Sequence, residues 1–220
     1  MNLAATIDHT LLRADATEAD IQRLCDEAIE HSFCSVCVNS SWVAAAAKAV
    51  AGSGVLVASV AGFPLGAMDS RAKAYETSRA IAEGADEIDV VIAVGRLKGG
   101  DNVFVEADLR GVVAAAGTAP VKVILETGLL DQQQKILACR IAVETGAAFV
   151  KTSTGFGQGG ATIADIQVMR QAVGGRCRIK ASGGIRDAAT ARLMIEAGAS
   201  RLGTSNGIAI VRGGATGSGY

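Results

Sequence analysis

Short apolar runs alternate with longer amphipathic stretches along the whole chain. The first run, residues 5–10, reads as a strand. Thr17 then caps a helix reaching about residue 31, with Asp20 three residues on as its box-like partner. Ile21, Leu24, Cys25 and Ala28 share one face of that helix. The alternation then repeats. Strands are expected at 35–38, 55–60, within 85–94, and at 121–126, 148–152, 177–181 and 201–203. An alanine-rich helix capped by Ser40-Ser41 follows the second strand. Further helices are expected at 70–83, 101–116, 131–145, 162–173, 187–197 and 206–211.

Glycine punctuates the pattern. Gly84-Ala85, Gly146-Ala147 and Gly198-Ala199 each join the end of a helix to a strand, and Gly117 stops another helix. Eight strands alternating with eight helices in 220 residues is the pattern of a (β/α)8 TIM barrel, an α/β fold. The alternative is an open doubly wound sheet, but its G-x-G-x-x-G fingerprint is missing after the first strand. No composition shift divides the chain. Residues 1–212 therefore read as one catalytic domain, and 213–220 as a flexible glycine-rich tail.

Charged residues interrupt these apolar strands. Asp8, Asp89, Lys122, Glu126, Lys151 and Lys180 all fall in or near strand segments. In a barrel, catalytic residues stand at the C-terminal strand ends. Strand residues alternate sides, so Phe149 shares a face with Lys151, and Arg178 with Lys180. If both lysines point inward, each raises the energy of the other's charge, and burial adds to this. Both pKa values are then expected below ~10.4. A lysine tuned toward ~7–8 can attack a carbonyl and form a Schiff base. Asp89 could relay protons. Taken singly, each of these groups reads as an ion-paired or structural residue, and Lys122 as the partner of Glu126 or Asp89. Two lysines and an aspartate on nearby strands leave the catalytic reading equally open.

The loops suggest an anion. Thr154-Gly155, Gly183-Gly184 and Ser205-Asn206 follow three successive strands. Backbone N–H groups at such turns bind phosphate, although ordinary turn chemistry also explains each loop alone.

Composition narrows the rest. Half of the residues are hydrophobic and the net charge is −1, which suits one large core and argues against a nucleic-acid surface. No apolar run could span a bilayer and no signal pattern opens the chain, so a cytoplasmic protein is expected. The five cysteines are scattered, as in a reducing compartment. Cys34-Ser35-Val36-Cys37 has redox spacing, but in a strand its thiols face opposite sides. His9 and His31 form no ligand spacing, so no metal is expected.

The chain resembles the 2-deoxy-D-ribose-5-phosphate aldolases, a family of metal-independent class I aldolases. The likeness runs through Ile7-Asp8-His9-Thr10-Leu11-Leu12, Ser35-Val36-Cys37-Val38-Asn39, Gly62-Phe63-Pro64-Leu65-Gly66, Glu87-Ile88-Asp89-Val90-Val91 and Lys122-Val123-Ile124-Leu125-Glu126-Thr127. It continues through Val150-Lys151-Thr152-Ser153-Thr154-Gly155-Phe156, Lys180-Ala181-Ser182-Gly183-Gly184-Ile185-Arg186 and Gly203-Thr204-Ser205. The resemblance implies reversible cleavage of 2-deoxy-D-ribose 5-phosphate to glyceraldehyde 3-phosphate and acetaldehyde. It implies Lys151 as the Schiff-base lysine, with Lys180 and Asp89 sharing proton transfer and no cofactor. Asp8, Thr10, Cys37 and Lys122 match pocket positions. Thr154, Gly155, Gly183, Gly184, Ser205 and Asn206 match the phosphate loops. Phe156 stands where some members carry a basic residue, and Asn206 where a small hydroxyl can occur. The resemblance also implies that Tyr220 folds over the site to assist proton exchange, and that the chain forms a homodimer or homotetramer. Its partners would be small phosphosugars and aldehydes. A different phosphosugar isomerase or aldolase, or a non-catalytic phosphate-binding barrel, remains the competing reading.

Overall fold

The structure, a computed structural model, describes residues 2–213. Strand β1 (Ile7–Leu11) leads to α1 (Glu18–Glu30), β2 (Ser35–Val38) and α2 (Val43–Val50). Then come β3 (Leu56–Ala61), α3 (Ser70–Ala82), β4 (Glu87–Val91), α4 (Val94–Lys98) and α5 (Asn102–Ala116). The chain continues through β5 (Val121–Ile124), α6 (Gln132–Glu144), β6 (Phe149–Lys151) and α7 (Ile163–Val173). It ends with β7 (Arg178–Ser182), α8 (Ala188–Ala197), β8 (Arg201–Thr204) and α9 (Gly207–Arg212).

The eight strands are parallel and close in sequence order into a barrel. Asp8 of β1 lies opposite Gly203 of β8, and this pairing rules out the open sheet. Gly213 caps α9 at φ 72°. Tyr220 and the rest of the expected tail lie outside the described residues. Among the described residues, no helix is long and apolar enough to cross a membrane.

The helix boundaries follow local chemistry. Thr17 and Asp20 form a reciprocal capping box on α1, and Asp131 and Gln134 form another on α6. Asp69, Asp101, Thr162 and Asp187 cap α3, α5, α7 and α8 through their side chains. Several residues expected to open helices thus stand one position outside them. The three Gly-Ala joints share one geometry. The N–H groups of Ala85, Ala147 and Ala199 reach back to the carbonyls of Ala80, Ala142 and Met194. This is the Schellman closure, and it requires the left-handed backbone that glycine supplies at φ 106°, 87° and 127°.

One expectation fails locally. Ser40-Ser41 does not cap α2. A 3-10 turn, Ser40–Trp42, precedes that helix, and the Ser40 hydroxyl donates to Glu76 instead. The short helix α4 is also new, because its five residues are too few for a visible period.

The strand alternation makes two cores. Ile88, Val90, Val123, Val150, Ile179 and Leu202 pack outward with the helices in one continuous layer. Cys37, Ala58 and Val60 of β2 and β3 join Leu12 in a small separate cluster. The remaining strands carry charge in full burial: Asp8, Asp89, Lys122 and Lys180 each have no exposed surface.

Candidate active site

Lys151 is the last residue of β6 and lies opposite Lys180 on β7. Its Nζ donates to Asp89 Oδ2 at 2.8 Å. Lys180 Nζ donates to the same oxygen at 2.7 Å, and Lys122 Nζ to Asp89 Oδ1 at 2.7 Å. One carboxylate therefore receives three ammonium groups.

The contacts continue around the barrel interior. Lys122 Nζ also lies 2.8 Å from Glu87 Oε2. Arg201 holds both oxygens of Glu87, at 3.0 and 3.1 Å, and Asp8 Oδ1 at 2.6 Å. Asp8 Oδ2 accepts from Lys180. The path Asp89, Lys122, Glu87, Arg201, Asp8, Lys180 and back to Asp89 is a closed ring of alternating charge. Below Lys151, Phe149 fills the strand, with the guanidinium of Arg178 stacked 4.0 Å from its ring centre.

Burial and charge act against each other here. Burial alone would raise the Asp8 carboxyl; Lys180, Lys122 and Arg201 outweigh it and hold it at about 2. Burial likewise opposes ionisation of Asp89, but Lys122, Lys151 and Lys180 keep it well below the usual carboxylate range. Lys151 is pushed down, first by burial and then by Lys180, with Asp89 opposing. Lys180 moves the other way, because Asp8 and Asp89 overcome its burial. Lys122 is also raised, with Asp89 overcoming its burial. The expectation that both lysines fall is therefore corrected: only Lys151 does. Lys180 has a carboxylate on each side, whereas Lys151 shares one with two rivals.

An open cleft sits above this cluster at the C-terminal strand ends. Thr10, Lys151, Thr154 and Gly155 line one side. Gly183, Gly184, Ser205 and Asn206 line the other, together with Ser182, Arg186 and Thr204. Every predicted phosphate-loop residue is thus brought together. Asp8, Cys37, Asp89, Lys122 and Lys180 are fully buried and absent from this wall. Among the four cations of this cluster only Lys151 opens on the cleft, with 2% of its surface exposed.

Some side chains are already committed. The Thr154 hydroxyl donates to Glu126 and accepts from the Phe156 N–H. Glu126 thus faces Thr154 rather than Lys122, whose near partners are Asp89 and Glu87, with Asp8 Oδ2 farther off at 3.9 Å. Gly157 packs against the Glu126 carboxylate, where a Cβ would stand 3.0 Å from its Oε2. Phe156 stacks edge-on against Phe63 at 5.3 Å, so this loop meets its neighbour through an apolar contact. Asn206 presents its N–H to the Thr204 hydroxyl. The Cys37 thiol, raised by burial, stays in the small apolar cluster.

Sequence reasoning missed Glu87 and Arg201. Glu87 stands two residues before Asp89 on β4, so strand periodicity placed it on the same face. Arg201 opens β8 and had no local signal. Among the described residues, no group of three His, Cys, Asp or Glu side chains is arranged to hold a metal ion.

Residues 3–214 match the profile of the DeoC/LacD family aldolases. The chain belongs to this aldolase family. It is 55% identical over 220 residues to the deoxyribose-phosphate aldolase of Bdellovibrio bacteriovorus, covering all of both chains. It is 56% identical over 221 residues to that of Brevibacillus brevis, again with complete coverage. The tetrameric deoxyribose phosphate aldolase of Aeropyrum pernix superposes with a TM-score of 0.89 at 33% identity, over 96% of this chain and 89% of that one. Membership makes the protein a lyase on a TIM barrel, as its sequence suggested.

One glycine protects the aldolase cluster. A Cβ on Gly203 would stand 2.2 Å from Ser182 Oγ and 3.0 Å from Lys180 Cε. Gly203→Ala is expected to cost about 1–3 kcal/mol through overpacking and to displace Lys180. Turnover should fall about tenfold, equivalent to ~1.4 kcal/mol in the barrier. Thermal unfolding and steady-state kinetics together check both effects. Unchanged values would mean that the space beside Lys180 is not tight.

Proposed function

We propose that this chain cleaves 2-deoxy-D-ribose 5-phosphate reversibly to glyceraldehyde 3-phosphate and acetaldehyde through a Schiff base on Lys151. The observation that carries this reading is that Lys151 alone among the buried cations reaches the cleft, beside the glycine turns of β6 and β7. Relatives of the same length bear the name of this reaction.

The neutral Lys151 amine attacks the C1 aldehyde of the open-chain sugar. The carbinolamine loses water and leaves an iminium. Asp89, with Lys180 beside it and water between, takes the proton from the C3 hydroxyl. The C2–C3 bond breaks and its electron pair enters the iminium. Glyceraldehyde 3-phosphate departs and an enamine remains. Protonation at C2 and hydrolysis release acetaldehyde and restore the amine. The iminium is the electron sink, so this chemistry needs no metal. Gly183, Gly184 and the Ser205-Asn206 turn take the phosphate, with Thr154 and Gly155 at the opposite edge. Asp8 and Lys122 act from beneath the cleft on its charge, Thr10 shapes the wall, and Cys37 packs in the small buried cluster. The resulting role is deoxyribose phosphate breakdown in the cytoplasm by a homodimer or homotetramer.

The test is release of both aldehydes from 2-deoxy-D-ribose 5-phosphate, compared with unphosphorylated 2-deoxyribose. Both should be cleaved, with KM at least tenfold lower for the phosphorylated sugar. Activity confined to other aldol pairs would overturn the substrate assignment. Equal KM values would overturn the phosphate cradle.

A further inference from the structure

We propose that Glu87 and Arg201, which do not touch Lys151, are positioning residues for the aldolase reaction: they close a charge-neutral ring that leaves Lys151 as the one surplus ammonium. The proposal rests on the Schiff-base reading of Lys151 and extends it to two residues outside the cleft.

The count comes from the contacts. Asp8, Glu87 and Asp89 supply three carboxylates, and Lys122, Lys180 and Arg201 supply three cations. Each ring member touches one opposite charge on either side. The ring therefore balances without Lys151, which hangs from Asp89 Oδ2 as a seventh group. An unbalanced charge in a dry interior is expensive, and the group that can shed it most cheaply is the one at the edge. Lys151 is that group, because it alone opens on the cleft.

Arg201 and Glu87 are what make the balance hold. Without its Arg201 contacts, Glu87 would have only Lys122, and Asp8 only the lysines. The bidentate Arg201–Glu87 contact also spans the barrel interior, because β8 and β4 lie on opposite sides of the barrel. The charged and titratable groups facing Lys151 are Asp89 on β4, Lys180 on β7, Cys37 on β2 and Arg186 at the cleft rim. None belongs to the pair under test.

The ring predicts opposite effects for its two remote members. Glu87→Gln removes a negative charge, leaves the cluster more positive and makes Lys151 shed its proton more readily. The acid limb of kcat/KM should move down by about one pH unit, the scale for one nearby charge in a protein interior. Arg201→Gln leaves a surplus carboxylate, which retains the Lys151 proton. Its acid limb should move up by about one unit, a roughly tenfold loss on the acid side. The double variant E87Q/R201Q removes one charge of each sign and should return the limb to the wild-type position.

The experiment first treats the wild-type enzyme with acetaldehyde and borohydride and locates the adduct by mass spectrometry. If Lys151 is unlabelled, the Schiff-base reading itself fails. If it is labelled, the pH profiles of the three variants decide the ring. Opposite shifts that cancel in the double variant support it. Limbs that stay put, or move in the same direction, overturn it. Should Arg201→Gln not fold, the contrast between Glu87→Gln and the double variant gives the same answer. A purely structural role would lower activity without moving the limbs.

Discussion

Lys151→Met is expected to abolish turnover without lowering the melting temperature. The nucleophile forms the covalent bond, so the loss should be on the order of 10⁴-fold or more. Acetaldehyde with borohydride should then label no residue in the cleft. The stability expectation follows from the charge count, because methionine removes the surplus ammonium and leaves the ring balanced. Replacing an unbalanced buried charge by an apolar group of similar size is neutral or favourable. The sign with pH is also fixed. Burial and Lys180 lower the Lys151 pKa in the folded state, so the unfolded chain binds the proton more strongly. The advantage of methionine is therefore largest at low pH and fades as pH rises toward ~10.4. Retained turnover would remove Lys151 as nucleophile. A clear drop in melting temperature would refute the balance.

Asp89→Asn should separate bond formation from proton transfer. The carboxylate takes three lysines, and an amide leaves four cations facing two carboxylates. The cost should reach about 3–5 kcal/mol, as for other broken buried pairs. Lys151 loses the one neighbour that favours its protonated form most, so its amine stays available. Borohydride with acetaldehyde should still label Lys151. Turnover should nonetheless fall about 10²–10⁴-fold, the scale of a lost general acid–base group. Labelling without turnover would assign Asp89 to the proton. Turnover within a few-fold of wild type would move that role elsewhere.

Much of this site was written in short-range pattern. Lys151, Lys180 and Asp89 stood out because charge is rare in strands buried on both faces. Strand alternation then put each lysine on the same face as its neighbour two residues back. The Gly-Ala joints betrayed the barrel because each strand entry repeats one hydrogen-bond closure. What stayed hidden was made by distant residues. Arg201 meets Asp8 across 193 positions, and Lys180 meets Asp8 across 172. No local pattern encodes such contacts; only closure of the sheet creates them. That is also why the lysine expectation was half right. Repulsion between Lys151 and Lys180 was legible from adjacent strands. The Asp8 carboxylate that reverses the outcome for Lys180 comes from the other end of the sequence, on β1, which closure of the sheet places two strands from β7.

The closed ring also divides the electrostatics of the cleft into two regimes. Its members sit almost wholly out of water, whereas Arg186 and Gly184 at the rim are exposed. Dissolved salt screens charges it can surround, within a Debye length of ~8 Å at physiological strength. It reaches the proposed phosphate loops and does not enter the ring. On the proposed mechanism, the hold on an anionic substrate should answer to the ionic medium, and the readiness of the Lys151 amine chiefly to protons. One cleft thus carries two dials, one at its exposed rim and one in the buried ring beneath its floor.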